Sequence, residues 1–158
     1  MLEPETTESE TAVAVPRGLL TALRRIIRAV DVRSKRIGKE TGLTIPQLVV
    51  LQAIAELGEV TASRLSTQVS VSPGTLVTIL DKLEANGLID RYRSAVDRRI
   101  VHARLTPTGT SQLAAAPPLL DARFVDAFVA LPPERQAAIL DVLQEVADLF
   151  DPPSTTSA

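Results

Sequence analysis

The sequence has no cysteine, no tryptophan and a single histidine, His102. The first absence removes disulfides, thiol nucleophiles and thiol-based redox sensing. A lone histidine leaves no His-rich metal site, though not a carboxylate-only one, and neither a metal ligand nor a cofactor is assigned. Aromatic residues are only 3% of the chain, so a core must be built from Leu, Ile, Val and Ala, which points to helices packed on helices. No apolar run reaches the roughly 20 residues that a bilayer span needs, so no membrane partner is expected. Residues 1–16 carry Glu3, Glu5, Glu8 and Glu10 and no basic residue. A signal peptide needs the reverse, so the expected location is the cytoplasm. The chain also lacks a nucleotide-binding glycine loop and a recognisable pair of carboxylates. With its one histidine in a strand, the inventory speaks against an enzyme, and no catalytic residue is assigned.

What is present suits one folded domain with one modest core: 158 residues, 45% hydrophobic and 23% charged. The net charge of −2 hides a strong segregation. Residues 1–16 carry −4, residues 17–40 carry +6, residues 41–60 carry −2, residues 61–106 carry +3 and residues 107–158 carry −5. Positive charge is thus gathered in two central stretches, and a local basic face holds nucleic acid whatever the total.

Residues 1–16 and 151–158 are rich in Glu, Thr, Ser and Pro and read as disordered tails, the first of them acidic. Over residues 18–39, Leu19, Leu20, Leu23, Ile26, Ile27, Val30 and Ile37 recur at helical spacing. Thr41-Gly42 stops this helix. Pro46, preceded by Thr44 as a cap, opens a second helix with Leu48, Leu51, Ile54 and Ala55 on its inward stripe; it ends at Gly58. Thr61 caps a short helix to about Val69. Ser72 and Pro73 supply the cap and first turn of the next, whose Leu76, Ile79, Leu80 and Leu83 share one face. Asn86-Gly87 ends it. Residues 88–93 and 100–105 alternate in character around a charged tip, which predicts a two-stranded hairpin. Thr106-Pro107 starts a helix that Pro117-Pro118 interrupts. Pro132-Pro133-Glu134 starts the last one, with Ala137, Ile139, Leu140, Leu143, Val146 and Phe150 as its apolar stripe. The fold class is therefore mostly α with a small β-hairpin wing (α+β). The terminal helices carry more apolar surface than one small subunit easily hides.

The central stretch resembles the MarR family of bacterial transcriptional regulators. The likeness rests on residues 61–71, on Ser-Pro-Gly-Thr-Leu-Val-Thr-Ile-Leu-Asp-Lys-Leu-Glu at 72–84, on Asn-Gly-Leu-Ile-Asp-Arg at 86–91, on Asp-Arg-Arg at 97–99 and on Leu-Thr-Pro-Thr-Gly at 105–109. A helix-turn-helix alone occurs in many folds; the last two segments at their fixed spacing are the specific part. The resemblance implies a homodimer. Residues 17–45 and 107–150 would form its helical dimerisation region, and residues 46–106 a winged helix-turn-helix. Its partners would be double-stranded DNA at a palindromic operator and a small-molecule effector that releases a repressor.

Groove contacts are expected from Ser72, Pro73, Thr75 and Thr78, with Val77 available to a thymine methyl, and a phosphate contact from Lys82. Arg98 and Arg99 at the hairpin tip are placed for the minor groove, and the resemblance favours Arg99 for insertion with Asp97 orienting the wing. Arg91, Arg93, Ser63 and Arg64 are candidates for phosphates, although Arg91 and Arg93 also suit a bracing role. Members of the family often carry an arginine on the recognition face; this chain has Thr78 there, which shifts readout toward hydroxyl and methyl contacts, water and DNA shape. Candidates for a ligand pocket are Arg28 and Asp31, spaced to pair across one helical turn, and Gln47. So few aromatics speak against a stacking-rich pocket. His102 reads as a surface strand residue. The alternative is an architectural or protein-interaction winged-helix module without a ligand switch.

Overall fold

The computed structural model describes residues 17–150, so both predicted tails lie outside the described residues. The elements are α1 (Arg17–Thr41), α2 (Ile45–Leu57), β1 (Val60–Thr61), α3 (Ala62–Gln68), α4 (Pro73–Ala85), β2 (Ile89–Arg93), β3 (Val101–Leu105), α5 (Pro107–Ala115), α6 (Ala122–Val129) and α7 (Pro133–Phe150). The chain divides after Pro117 into two units. Among the described residues no helix is long and apolar enough to cross a membrane.

Helix starts follow one chemical rule. Thr44, Thr61, Ser72, Thr106 and Asp121 each sit in extended backbone, and each side-chain oxygen accepts the N–H three residues on. Such caps satisfy donors that the helix cannot, each worth about 1 kcal/mol. At Thr44 the arrangement is reciprocal: Gln47 N–H donates to Thr44 Oγ1 and Thr44 N–H to Gln47 Oε1 at 2.9 Å. Helix α4 stops where Gly87 takes φ of +68°, with Leu88 N–H donating to Leu83 O and Gly87 N–H to Glu84 O. That stop aims the chain directly into β2.

In the first unit α2 is the central pillar. Gln47, Leu48, Val50, Leu51, Ala53 and Ile54 are all buried on it. Helix α4, β3 and α5 pack around it, so burial extends beyond the stripe predicted for this helix, whereas Ala55 is exposed. Leu65 of α3, then Leu76, Ile79, Leu80 and Leu83 of α4, then Leu88, Ile89 and Ala103, complete one continuous apolar interior. Each such side chain contributes about 1.5–3 kcal/mol by leaving water.

The wing is larger than a hairpin. Strands β2 and β3 pair antiparallel with Tyr92 opposite His102, and β1 adds on the far side with Thr61 opposite His102, giving the order β1-β3-β2. Two residues are too few for a period-2 signal, which is why β1 is silent in the sequence.

The long helix α1 buries only Ile37; Leu19, Leu20, Ile26, Ile27, Val30 and Val32 are exposed. In the second unit, α6 and α7 have no buried residue, and Leu140, Leu143 and Phe150 are 57%, 49% and 71% exposed.

Helix α5 meets the start of β2 at backbone distance. A Cβ built on Gly109 lies 2.0 Å from the carbonyl oxygen of Leu88, and that same carbonyl accepts Thr106 N–H at 3.0 Å. The atoms met are backbone, so one of the two segments must shift to admit a side chain. Gly109→Ala is expected to lose about 3 kcal/mol in urea denaturation. Gly38→Ala, where a Cβ meets only Leu43 O at 3.8 Å, is expected to be neutral or to gain up to about 1 kcal/mol as a helix-interior glycine is replaced.

Candidate nucleic-acid interface

The buried face of α4 fixes what the helix shows to solvent. With Leu76, Ile79, Leu80 and Leu83 inward, Gly74 and Thr78 lie along the opposite crest, flanked by Thr75 and Lys82 on one side and by Val77 and Asp81 on the other. Pro73, Gly74, Thr75, Thr78 and Lys82 are exposed, and Val77 is 48% exposed. The Ser72 hydroxyl accepts Thr75 N–H at 3.2 Å and donates to Thr75 Oγ1 at 2.8 Å. Thr78 Oγ1 donates to Gly74 O at 3.2 Å. Helix α3 sets Ser63 and Arg64, both exposed, beside the start of this surface. A shallow crevice of about 350 Å³ separates the two helices and is lined by Ala62, Ser63, Ser66, Pro73 and Val77 among others.

The tip of the wing is held from within. Ser94 Oγ accepts the N–H groups of Val96 and Asp97, and Asp97 Oδ1 accepts Arg99 N–H at 3.0 Å. Arg93 reaches back along the strand to donate to Arg98 O at 2.8 Å. These bonds shape a turn from which Arg98 and Arg99 project. The side chain of Arg99 is 95% exposed and lies 3.7 Å from Asp97, a separation and exposure at which pairing is weak.

The wing and α4 are tied together by Arg91. Its Nε and Nη2 donate to Glu84 Oε2 at 2.9 and 2.5 Å, its backbone N–H donates to Glu84 Oε1, and Nη2 lies 2.6 Å from Asp81. The guanidinium is only 23% exposed. Hydrogen bonds from Arg91 hold the Glu84 carboxyl below the usual carboxylate range, and the same bonds raise Arg91. Charge-assisted, multidentate contact of this kind is stronger than a single surface pair. Arg91 therefore braces the hairpin against α4, and Arg93 braces its tip.

The outer face of the sheet carries a second cluster that sequence reading missed. Tyr92 stacks on His102 with centroids 5.3 Å apart, Arg104 lies over the Tyr92 ring, and the Tyr92 hydroxyl donates to Glu59. That hydrogen bond raises the tyrosine above its ordinary value. Arg104 lies 3.7 Å from both Glu59 and Asp90. His102 is thus half-buried, with Nδ1 enclosed and without a protein partner among the described residues, rather than the surface histidine expected. The period-2 alternation of β2 and β3 put Asp90, Tyr92, His102 and Arg104 on one face; Glu59 gave no signal because β1 itself was unseen.

Arg28 and Asp31 are exposed on α1, and on the same helix Arg36 pairs with Glu40 at 2.8 Å. Gln47 is buried and engaged in its capping box.

Comparison with known proteins places this geometry. Residues 43–101 match the model of the MarR family. The uncharacterized HTH-type transcriptional regulator YsmB of Bacillus subtilis is 32% identical over 88 residues, covering 56% of this chain and 60% of its own length. YkoM of the same organism, also an uncharacterized HTH-type transcriptional regulator, is 27% identical over 137 residues, covering 87% and 89%. The chain thus spans less than two thirds of YsmB and most of YkoM. Among solved structures, a MepR-like protein complexed with pseudoligands superposes with TM-score 0.68 at 22% identity, over 84% of this chain and 94% of that one. The PcaV regulator of Streptomyces coelicolor with its natural ligand gives 0.65 at 24%, over 87% and 95%. A MarR variant of E. coli complexed with operator DNA gives 0.58 at 23%, over 82% and 96%. These likenesses establish the winged-helix fold.

The Arg91 brace has a pH signature. A carboxyl held low in the folded state stabilises above its unfolded pKa, and that contribution is lost as pH falls through the folded value. Glu84→Gln is expected to cost about 1 kcal/mol at pH 7, with the gap to the parent protein closing as pH falls below about 4. Urea midpoints at pH 7 and pH 3.5 check this; a gap that does not change with pH would mean that the Glu84 charge does not hold the wing.

Proposed function

We propose that the chain is a DNA-binding transcriptional regulator of the MarR type that grips a palindromic operator as a homodimer, acts as a repressor in the cytoplasm and is released by a small-molecule effector. The observation that carries the reading is the pairing, in one MarR domain, of a solvent-facing α4 crest with a wing whose tip projects Arg98 and Arg99 free of strong internal pairing.

An α-helix fits the major groove, and its N-terminal residues meet base edges. Ser72, Pro73, Thr75, Val77 and Thr78 take that role here. Ser63, Arg64 and Lys82 reach phosphates, which give affinity without sequence information. Arg99, with Arg98, enters the minor groove, where a narrow A·T tract concentrates negative potential. Asp97 shapes the tip. Arg93 keeps guanidinium donors beyond the one given to Arg98 O, so it serves both tip and phosphate. Arg91 acts through the position of the wing. The exposed apolar stripes of α1 and of α7 are surfaces for a second copy of the chain; two lobes related by a two-fold axis then read half-sites about one helical turn apart, roughly 10 bp. PcaV is held in complex with its natural ligand and the MarR variant with operator DNA, which supports both partners for this chain.

The test is DNase footprinting with fragments of the source genome, followed by titration of the protected site. Arg99→Ala is expected to weaken operator binding about tenfold or more and to flatten its salt dependence, with sedimentation unchanged. Uniform salt-sensitive binding without a protected site would overturn the regulatory reading in favour of an architectural one. Leu143→Glu is expected to convert the dimer to monomer or to unfold it; a folded dimer by sedimentation would show that α7 is not the interface.

A further inference from the structure

The crest of α4 is chemically unusual for a surface that reads bases. Its first two turns carry no arginine, lysine, asparagine, glutamine or carboxylate, so the bidentate pairings to guanine and adenine edges have no donor set there. The available groups are small. Gly74 presents open space where a side chain would stand, so the helix backbone is able to approach the base pairs closely. Thr78, one turn on, has its hydroxyl hydrogen engaged by Gly74 O, which leaves its methyl as the apolar group on the crest. Val77 adds two methyls at the edge of the crevice between α3 and α4, whose walls are largely aliphatic on this side. Ser72 donates its hydroxyl hydrogen to Thr75 Oγ1, so the Thr75 hydroxyl is oriented as a donor to an outside acceptor.

In the major groove the thymine C5-methyl is the apolar group that marks a base pair. Methyl-bearing side chains with no competing charge are matched to it. From this geometry we propose that α4 selects its half-site chiefly through thymine methyl groups, read by the Thr78 methyl and by Val77, with the Thr75 hydroxyl as the one side-chain donor on those two turns. The inference rests on the reading above that the chain binds an operator. It goes further by naming the base chemistry that the operator must hold: at least two thymines in the major groove at the steps facing Val77 and Thr78, and no obligatory guanine there. Lys82 and the wing arginines then supply affinity, and the methyl contacts supply discrimination.

The experiment uses the full-length chain. Duplexes enriched from a random pool define the preferred site, and each thymine facing α4 is then replaced singly by deoxyuridine, which deletes the methyl and keeps every hydrogen-bonding group. Loss of one buried methyl is expected to weaken binding about three- to fivefold per position. Thr78→Ser, which keeps the hydroxyl, and Val77→Ala, at an exposed position, are each expected to abolish the penalty at one thymine and to retain it at the other. Indifference to deoxyuridine, a penalty that survives in both variants, or an enriched site with an obligatory guanine against α4 would overturn the inference while leaving the regulator intact. Failure to enrich any sequence would overturn the operator reading itself, and this inference with it.

Discussion

Burial of Leu76, Ile79, Leu80 and Leu83 is the constraint on which the rest of the surface depends. A helix has one orientation about its axis that hides four large aliphatic side chains at this spacing, and rotating α4 by one residue would expose several of them at about 1.5–3 kcal/mol each. The outward crest is therefore the complement of the core rather than an independent design. Helix α2 supplies the wall against which that face packs, and it is so enclosed that even Gln47 is buried with it. The caps at Thr44, Thr61 and Ser72 then set where the three helices of the lobe begin, so that Ser72 ends the α3–α4 turn at the start of the crest. That turn is tight enough to hold Ser70 at φ of +51°, a conformation costing a non-glycine residue about 1 kcal/mol. The bond from Ser66 Oγ to Val71 O supports it.

The second constraint is electrostatic. Leu88, Ile89 and Ala103 anchor the base of the wing in the shared interior, and Arg91 adds a polar tie by joining the last turns of α4, through Asp81 and Glu84, to the middle of β2. A recognition helix and a wing that approach one duplex together must keep a fixed offset, and a chain that relied on exposed single pairs would let it drift. The two arginines at the tip project outward because other groups shape the turn: Ser94, Asp97 and the reach of Arg93. With Arg91 engaged internally, Arg93 shared between the tip and solvent, and Arg98 and Arg99 exposed, a chain of net charge −2 still presents a local cationic surface.

Much of this was legible from residue patterns because it depends on local rules. The inward face of α4 follows from helical spacing, the caps from Ser and Thr before Pro or three residues ahead of an N–H, and the α4 stop from Asn86-Gly87. What escaped depended on long-range placement. Strand β1 is two residues and exists because β3 offers it an edge. The Glu59–Tyr92–Arg104–His102 cluster assembles residues up to 45 positions apart in the numbering of the chain. Ala55 was expected inward because a single stripe was assumed, whereas α2 is packed on several sides. The preference of Arg91 for Glu84 and Asp81 over solvent is likewise a tertiary choice: bracing and phosphate contact are equally open to an arginine in a strand until its neighbours are known.

The two ends of the chain obey a different logic from its middle. Every buried Leu, Ile, Val and Ala among the described residues lies between Ile37 and Ala103. The lobe thus closes its own core, while α6 and α7 leave Phe124, Val129, Leu140, Leu143 and Phe150 exposed. A helix of eight residues such as α6 is too short to persist on propensity alone, and an 18-residue helix with an uncovered apolar stripe gains little from folding by itself. Under the proposed association the same event that covers these stripes also stabilises the helices that bear them, so folding of the terminal segments and pairing of two chains become one concentration-dependent equilibrium. On that proposal the lobe keeps its own interior whether or not two chains are associated, while the spacing between two lobes is set by how the terminal helices meet. An effector acting on the proposed interface would then alter the half-site spacing that the two lobes match without repacking either interior.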